Sequence, residues 1–283
     1  MRKHFSLCVL SVLCGSILFG AEQQQRPQSD WPCKSKIDPA YIETAEATGG
    51  QVLMFDPSEA SRSTLLMEAE LRGESETIFR ISGTLQDESR EYTIPIDSTI
   101  ESATVSGFIQ CKQNVSITRP SGQELTTGGT GITDNLFKAG RIITTKNPER
   151  GNWKIHLTGS GYFSVNAVAK SYIALDTVRF VKPGGRPGHE GLFPIQGQPA
   201  PNVQQQLSIE MSGATASASF EMIGTTGEKL QAIHVDQISH DEDSAEYLGS
   251  LTPGADKFRI IVEGEDQSGY HYQRMYGPQF EPK

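Results

Sequence analysis

Hydrophobic residues recur with a period of two along most of this chain. In "GNWKIHLTG" (Gly151 to Gly159), Trp153, Ile155 and Leu157 point one way while Lys154 and His156 point the other, the signature of a half-buried strand. Similar runs, rich in β-branched and aromatic residues, span Thr77 to Leu85, Arg90 to Asp97, Glu101 to Ile109, Asn114 to Pro120, Gly140 to Pro148 and Gly161 to Ala169. Gly, Pro, Asn or Ser interrupts them, so the spacing predicts an antiparallel sandwich or jelly roll. "KPGGRPGHEGLFPIQGQPAPN" (Lys182 to Asn202) is dense in Pro and Gly and reads as a linker. A second β series follows: "QQLSIEMSG", "SASFEMIG", "EKLQAIHVDQ", "AEYLGSL", "KFRIIVEGED" and "YHYQRMY". Such a density of short strands fits an immunoglobulin-like sandwich of roughly seven strands.

Ahead of these series the period changes. Pro39 to Ala47 forms a short helix, with Asp38 as its cap and Pro39 in its first turn. Tyr41, Ile42 and Ala45 make its apolar face, Gly49 and Gly50 end it, and Gln51 to Phe55 is a short buried strand. Ser63 to Arg72 is a second helix candidate. The N-terminus carries basic Arg2, Lys3 and His4, an apolar run from Phe5 to Phe19, and small Gly20 and Ala21. That is the layout of a secretory signal cut near Ala21, too short for a span of about 20 apolar residues. Cys14 follows Leu13 inside the apolar run, which speaks against lipid attachment. Glu22 to Asp30 is a polar lead-in.

Cleavage at that point leaves 23 basic against 34 acidic residues, a net charge of −11. Such a surface repels phosphate backbones, so nucleic acid is not an expected partner. The cut also removes Cys8 and Cys14 and leaves Cys33 and Cys111 in a compartment that permits disulfides. A bridge between them is the leading expectation, and two separate thiols, one of them buried, the alternative.

The remaining chemistry is sparse. There is no G-x-S-x-G elbow, no Gly-rich loop between a strand and a helix, and no Cys beside a plausible base. "GGTGITD" (Gly128 to Asp134) sits in a long polar loop. The six histidines are scattered; His234 shares a strand face with Asp236, and two residues do not make a metal site. "DEDSAE" and "GEDQSGY" lack the alternating oxygen order of a calcium loop. Asn114-Val115-Ser116 is a glycosylation sequon, relevant in a eukaryotic secretory pathway. Tyr270, Tyr272, Arg274 and Tyr276 alternate on one face of the last strand. They could stack sugar rings or grip a protein partner. The apolar strand before them favours a plainer role, with Tyr270 and Tyr272 in the core and Arg274 at its rim. No cofactor is expected.

The order "YTIPIDSTIESATVSG", "NVSITRPSGQEL", "NPERGNWKIHLTGSGYFSVNAVAKSYIALD" and "FRIIVEGEDQSGYHYQRM" resembles the hemicentin-like von Willebrand factor A family, in the region after the A domain. The resemblance implies a galactose-binding-like sandwich followed by an immunoglobulin-like domain. "YIETAEATGGQVLMF" is similar to the end of the family's A domain. The A domain's metal site needs an aspartate and two serines spaced D-x-S-x-S; here Asp56-Pro57-Ser58-Glu59-Ala60-Ser61 is one residue too long. A hard cation needs about six oxygens, so Asp56 and Ser58 read instead as the start of a turn that caps the next helix.

The expectation is therefore an all-β chain: a signal over 1–21, a lead-in and A-domain remnant over 22–72, a galactose-binding-like sandwich over 73–182, a linker over 183–202, and an immunoglobulin-like sandwich over 203–283. Its expected function is that of a secreted, non-enzymatic, adhesion-type protein with a protein or glycan partner at the cell surface and no transmembrane segment. The alternatives are a carbohydrate-binding module and an accessory domain of a hydrolase.

Overall fold

The computed structural model describes residues 37–62, 75–126, 128–241 and 243–283, together with Ile17, Leu18 and Cys33. The expected signal peptide, apart from Ile17 and Leu18, lies outside the described residues, as do the polar lead-in and the helix expected from Ser63 to Arg72. Strand β1 (Ile17–Leu18) pairs in parallel with β2 (Val52–Leu53). Between them comes α1 (Pro39–Thr48), whose Asp38 cap accepts a hydrogen bond from the Ala40 amide at 3.0 Å. Gly49, at φ +77°, ends the helix in the left-handed conformation that glycine adopts without a Cβ penalty. A short 3₁₀ turn, η1 (Pro57–Arg62), follows β2. The Asp56 carboxylate starts it by accepting from the Ser58 amide at 2.9 Å, and it pairs with Lys138 at 3.0 Å. The aspartate and serine that suggested a metal site thus spend their oxygens on a turn.

The rest of the described chain is nearly all β. Strands β3 (Glu76–Ile96), β4 (Ile100–Thr118), β5 (Ile132–Phe137), β6 (Gly140–Lys146) and β7 (Gly151–Ser171) form one antiparallel sheet in the order β3-β7-β4-β6-β5. Six expected short strands are three long ones. The residues that read as strand ends are bulges, at Gln86/Glu88 in β3 and around Cys111 in β4. Asp87 takes φ +59° at the first of these, and Gly161 takes φ +84° opposite on β7. A bulge bends a strand without ending it. The bend is sharp enough to bring Phe79 and Tyr92 of the same strand to a ring separation of 5.7 Å. The sheet therefore folds over itself and encloses its own core, where Ile78, Ile81, Ile94, Trp153, Ile155, Leu157, Phe163 and Val165 are buried. β5 occupies part of the segment expected to be a polar loop; it is an edge strand, with one neighbour.

The outer face of this sheet holds a second apolar cluster. Leu53, Met54 and Phe55 pack on Phe108, Phe137 and Ile142, with Phe55 edge-on to Phe137 at 5.4 Å. Buried Gln51 spans from the Ser106 carbonyl to the Ser164 hydroxyl, so the α1–β2 segment is bonded into the sheet as well as packed on it. The disulfide joins Cys33 to Cys111 at the β4 bulge, with Cα atoms 4.8 Å apart.

The second sheet contains β8 (Ala174–Gly184), β9 (Gly191–Pro194), β10 (Gln205–Ser212), β11 (Ser219–Gly224), β12 (Lys229–His240), β13 (Ser244–Leu251), β14 (Phe258–Glu265) and β15 (His271–Met275). Their order is β15-β14-β11-β12-β13-β10-β8-β9. β12 belongs to two layers: its first half pairs with β11, and its second half, from His234 on, pairs with β13. The layers β8-β10-β13 and β11-β14-β15 face each other across one core, with Phe180 on Phe258 and Phe220 on Tyr247 at ring separations of 6.3 and 5.0 Å.

The boundary between the sheets differs from the expected one. The sequence expectation places 174–182 in the first sandwich, yet β8 pairs with β10 in the second. Residues 183–202 are not a free linker. They finish a hairpin with β9 on the sheet edge, where Gly185 and Gly188 take φ +106° and +81°, and the Pro199 carbonyl accepts from the Lys283 amide at 3.0 Å. Pro and Gly set turn geometry here as readily as they set flexibility. Only Tyr172 and Ile173 separate the two sheets.

Candidate functional site

With so short a connection, the two sheets meet along β3 and β15. Both faces of β15 are buried in consequence: Tyr272 and Arg274 point one way and Gln273 and Met275 the other. The Gln273 side chain donates to the Ile78 carbonyl of β3 at 2.6 Å. Ser82 of β3 donates its amide to the Thr225 carbonyl at 3.2 Å.

The centre of the junction is an ion pair with no exposure on either side: Arg274 Nη1 lies 2.8 Å from Asp97 Oδ2. Arg274 also donates through Nε to the Ile173 carbonyl at 2.8 Å, through Nη1 to the Gln273 carbonyl at 2.7 Å, and through Nη2 to the hydroxyls of Thr99 and Ser171. Asp97 in turn accepts from the Thr99 amide at 3.0 Å. A buried charge is tolerable when its donors and acceptors are used up in this way. A second charged cluster ties in α1. The Glu46 carboxylate sits against buried Arg259 of β14 and 3.9 Å from Arg80 of β3, and Arg80 also donates to the Gly49 carbonyl. Burial lowers the Arg259 guanidinium to about 10.

Three loops close over this centre. Asp266, in the turn before β15, accepts from the Ser98 amide at 2.8 Å and from the amides of Ser268 and Tyr270. Burial alone would raise this carboxyl, but the donors from Ser98, Tyr270 and Ser268 outweigh it and hold it below the usual range. Asn147 donates its amide to the Glu101 carbonyl at 2.8 Å, and Arg150 reaches the Ser98 carbonyl and lies 5.9 Å from the Tyr270 ring centroid. Tyr172, in the two-residue connection, donates its hydroxyl to Glu101 at 2.7 Å, and Glu101 pairs with Lys170 at 3.0 Å. Those two contacts hold the Glu101 carboxyl low, and the hydrogen bond to Glu101 with its negative charge pushes the Tyr172 phenol up.

The tyrosine and arginine stripe is thus divided. Tyr272 and Arg274 are fully buried, Tyr270 is 40% exposed, and Tyr276 is half-buried against Phe280 at 5.8 Å. The expected plain role is inverted at two positions: Arg274 is the innermost group and Tyr270 is at the rim. The reason is that β15 packs against β3 as well as against its own sandwich, which the strand's own alternation does not reveal. Tyr172, 70% exposed, has no counterpart among the expected sites; a large aromatic between two strand series is the signal that could have found it. The segments "IPID", "NPERGN" and "YHYQR", which carry the family resemblance, all supply residues to this junction. Among the described residues, no group of three His, Cys, Asp or Glu side chains is placed to hold a metal ion, and no helix is long and apolar enough to cross a membrane.

Residues 78–172 match the family described as hemicentin galactose-binding domain-like, and the match ends at the observed boundary between the sheets. The chain is 23% identical to Hemicentin-1 of Mus musculus over 249 residues and 24% identical to Hemicentin-1 of Homo sapiens over 253 residues. Each alignment covers 85% of this chain and 4% of the relative, so the chain spans a small fraction of the curated relatives it matches. A crystal structure of Bacillus licheniformis lipase BlEst2 in propeptide form aligns with a TM-score of 0.33 at 12% identity, covering 83% of this chain and 52% of that one. A likeness that loose carries no inference about function.

Proposed function

We propose that this chain is an extracellular, non-enzymatic, adhesion-type protein that offers a partner the combined surface of two rigidly joined β domains. The observation that carries the reading is the sealed Asp97–Arg274 pair. The charged groups that could have done bond chemistry at the junction are consumed in fixing one sheet against the other. The hemicentin-like character of residues 78–172 supports an extracellular setting, as do the disulfide and the N-terminal segment read as a cleaved signal. The second sandwich is, in this reading, an immunoglobulin-like domain. Its order β8-β10-β13-β12 in one layer and β12-β11-β14-β15 in the other, with β12 switching layers, supports that assignment. The α1–β2 segment is the remnant of an A-domain end, retained because it is bonded to both sheets.

The test is capture of the native cell-surface fraction on immobilised protein, run beside hydrolysis of p-nitrophenyl acetate and butyrate. Saturable binding without ester turnover is the expected result. Turnover that survives repurification and disappears on substitution of a single Ser, His or Asp would replace the reading with the hydrolase alternative. Carbohydrate binding is the second reading, favoured by the exposed Tyr172 and Tyr270 on the junction rim.

A further inference from the structure

The rim of the junction carries an exposed aromatic surface that the packing does not explain. Tyr172 keeps 70% of its surface in water, whereas a tyrosine that merely spans two domains would bury its ring. Its orientation is nonetheless fixed, because its hydroxyl is held by Glu101, which Lys170 holds in turn. Tyr270 keeps 40% of its surface in water, with the Arg150 guanidinium 5.9 Å from the ring centroid.

The two tyrosines belong to one continuous rim. From Tyr172 the contacts run to Glu101, whose carbonyl accepts from Asn147, close in the same turn to Arg150. Arg150 meets Ser98 and Tyr270, and Asp266 bonds both Ser98 and Tyr270. On the other side a bridge joins Asp266 to Thr215, and nearby Gly213 passes against the Tyr172 carbonyl. The rim therefore takes Glu101 and Lys170 from strands of the first sheet, Arg150 from the loop between β6 and β7, Tyr270 from the turn before β15, and Tyr172 from the connection. Because the centre beneath it is sealed by Asp97 and Arg274, the rim is preorganised.

We infer that this rim binds a neutral pyranose ring, one sugar face resting on Tyr172 and the adjoining unit reaching toward Tyr270. The inference rests on the extracellular reading above and adds the ligand class to it. A pyranose presents flat C–H faces that stack on an aromatic ring, and hydroxyls at its edge that both donate and accept. Glu101 accepts from those hydroxyls, and Lys170 and Arg150 donate to them. An anionic sugar is disfavoured, because Lys170 at the Tyr172 edge is already paired with Glu101 at 3.0 Å and the chain carries a net charge of −9. Fixed side chains lose little entropy on binding, which favours a rim already held in place.

The test uses the full chain in saturation-transfer NMR and calorimetry with lactose, cellobiose, maltose and mannobiose, and with a sulfated heparin disaccharide as the anionic counterpart. At least one neutral disaccharide is expected to bind. Tyr172→Ala and Tyr270→Ala are each expected to weaken it at least tenfold with unchanged melting temperatures, since both side chains are exposed. Tyr172→Phe, which keeps the ring and loses the Glu101 contact, should weaken it less than Tyr172→Ala. Leu136→Ala, at an exposed position on the far edge strand β5, should leave it unchanged. No binding of any neutral disaccharide, binding by both alanine variants equal to that of the native chain, or tenfold preference for the sulfated sugar overturns the inference. If surface capture persists in that case, only the sugar rim falls; if capture is also absent, the adhesion reading falls with it.

Discussion

Replacing Arg274 with methionine tests what holds the two sheets together. The change keeps much of the side chain's apolar length and removes the guanidinium that Asp97 faces at 2.8 Å. Asp97 keeps its bonds from the Thr99 amide and hydroxyl, but its charge stays buried without a counter-charge. Breaking a buried pair from one side costs about 3–5 kcal/mol. The carbonyls of Ile173 and Gln273 and the hydroxyl of Ser171 also lose a donor, each worth about 1 kcal/mol or more when left unsatisfied. Those additions overlap with the first figure, so an overall loss of about 4–5 kcal/mol is expected. Because the pair joins the first sheet to the last strand of the second, the loss should also uncouple them. In a Trp31→Phe background, urea unfolding followed by the fluorescence of buried Trp153 (first sheet) and by the far-ultraviolet circular dichroism of both sheets should give coincident curves with Arg274 in place and separated curves for Arg274→Met. Asp97→Asn combined with Arg274→Met should recover about 2 kcal/mol relative to the sum of the single changes, since neither partner is then left as a lone charge. A loss below about 1 kcal/mol with the curves still coincident would refute the reasoning, because it would mean that water reaches the pair.

Other consequences are measurable by the same means. The disulfide closes a separation of 78 residues, which loop entropy values at about 4.5 kcal/mol; Cys33→Ser with Cys111→Ser should lower the urea midpoint accordingly, and dithiothreitol should shift the native chain but not the variant. Asp266 has a folded pKa below its ordinary value, so its contribution is complete above about pH 4 and is lost as pH falls through the lower folded value. The stability gap between the native chain and Asp266→Asn should hold at pH 6 and narrow between pH 4 and pH 2; a constant gap would deny that the carboxylate charge matters. Gly213 has φ +88°, and a Cβ there would lie 2.2 Å from the Tyr172 carbonyl, so Gly213→Ala should cost at least about 2 kcal/mol in thermal unfolding.

Alternation alone determined that Trp153, Ile155 and Leu157 face a core, since a strand's period of two leaves no other place for three large apolar groups. It likewise determined each of the six strands after residue 204, and local chemistry set α1, because a cap such as Asp38 and a stop such as Gly49 act within one turn. The long-range decisions were not local. Asp87 and Gly161 look like strand ends, and only pairing across the sheet made them bends within continuous strands. Residues 174–184 carry no mark of which sheet they join; β10 decided it by pairing. Arg274 was visible as one member of a stripe, but its burial depended on β3 lying against β15, 177 residues from its partner Asp97. A pattern along one strand specifies how residues divide between two faces. What each face meets is set by the packing of sheets that are distant in the chain, and here that packing placed the charges inside and left Tyr172 and Tyr270 at the surface.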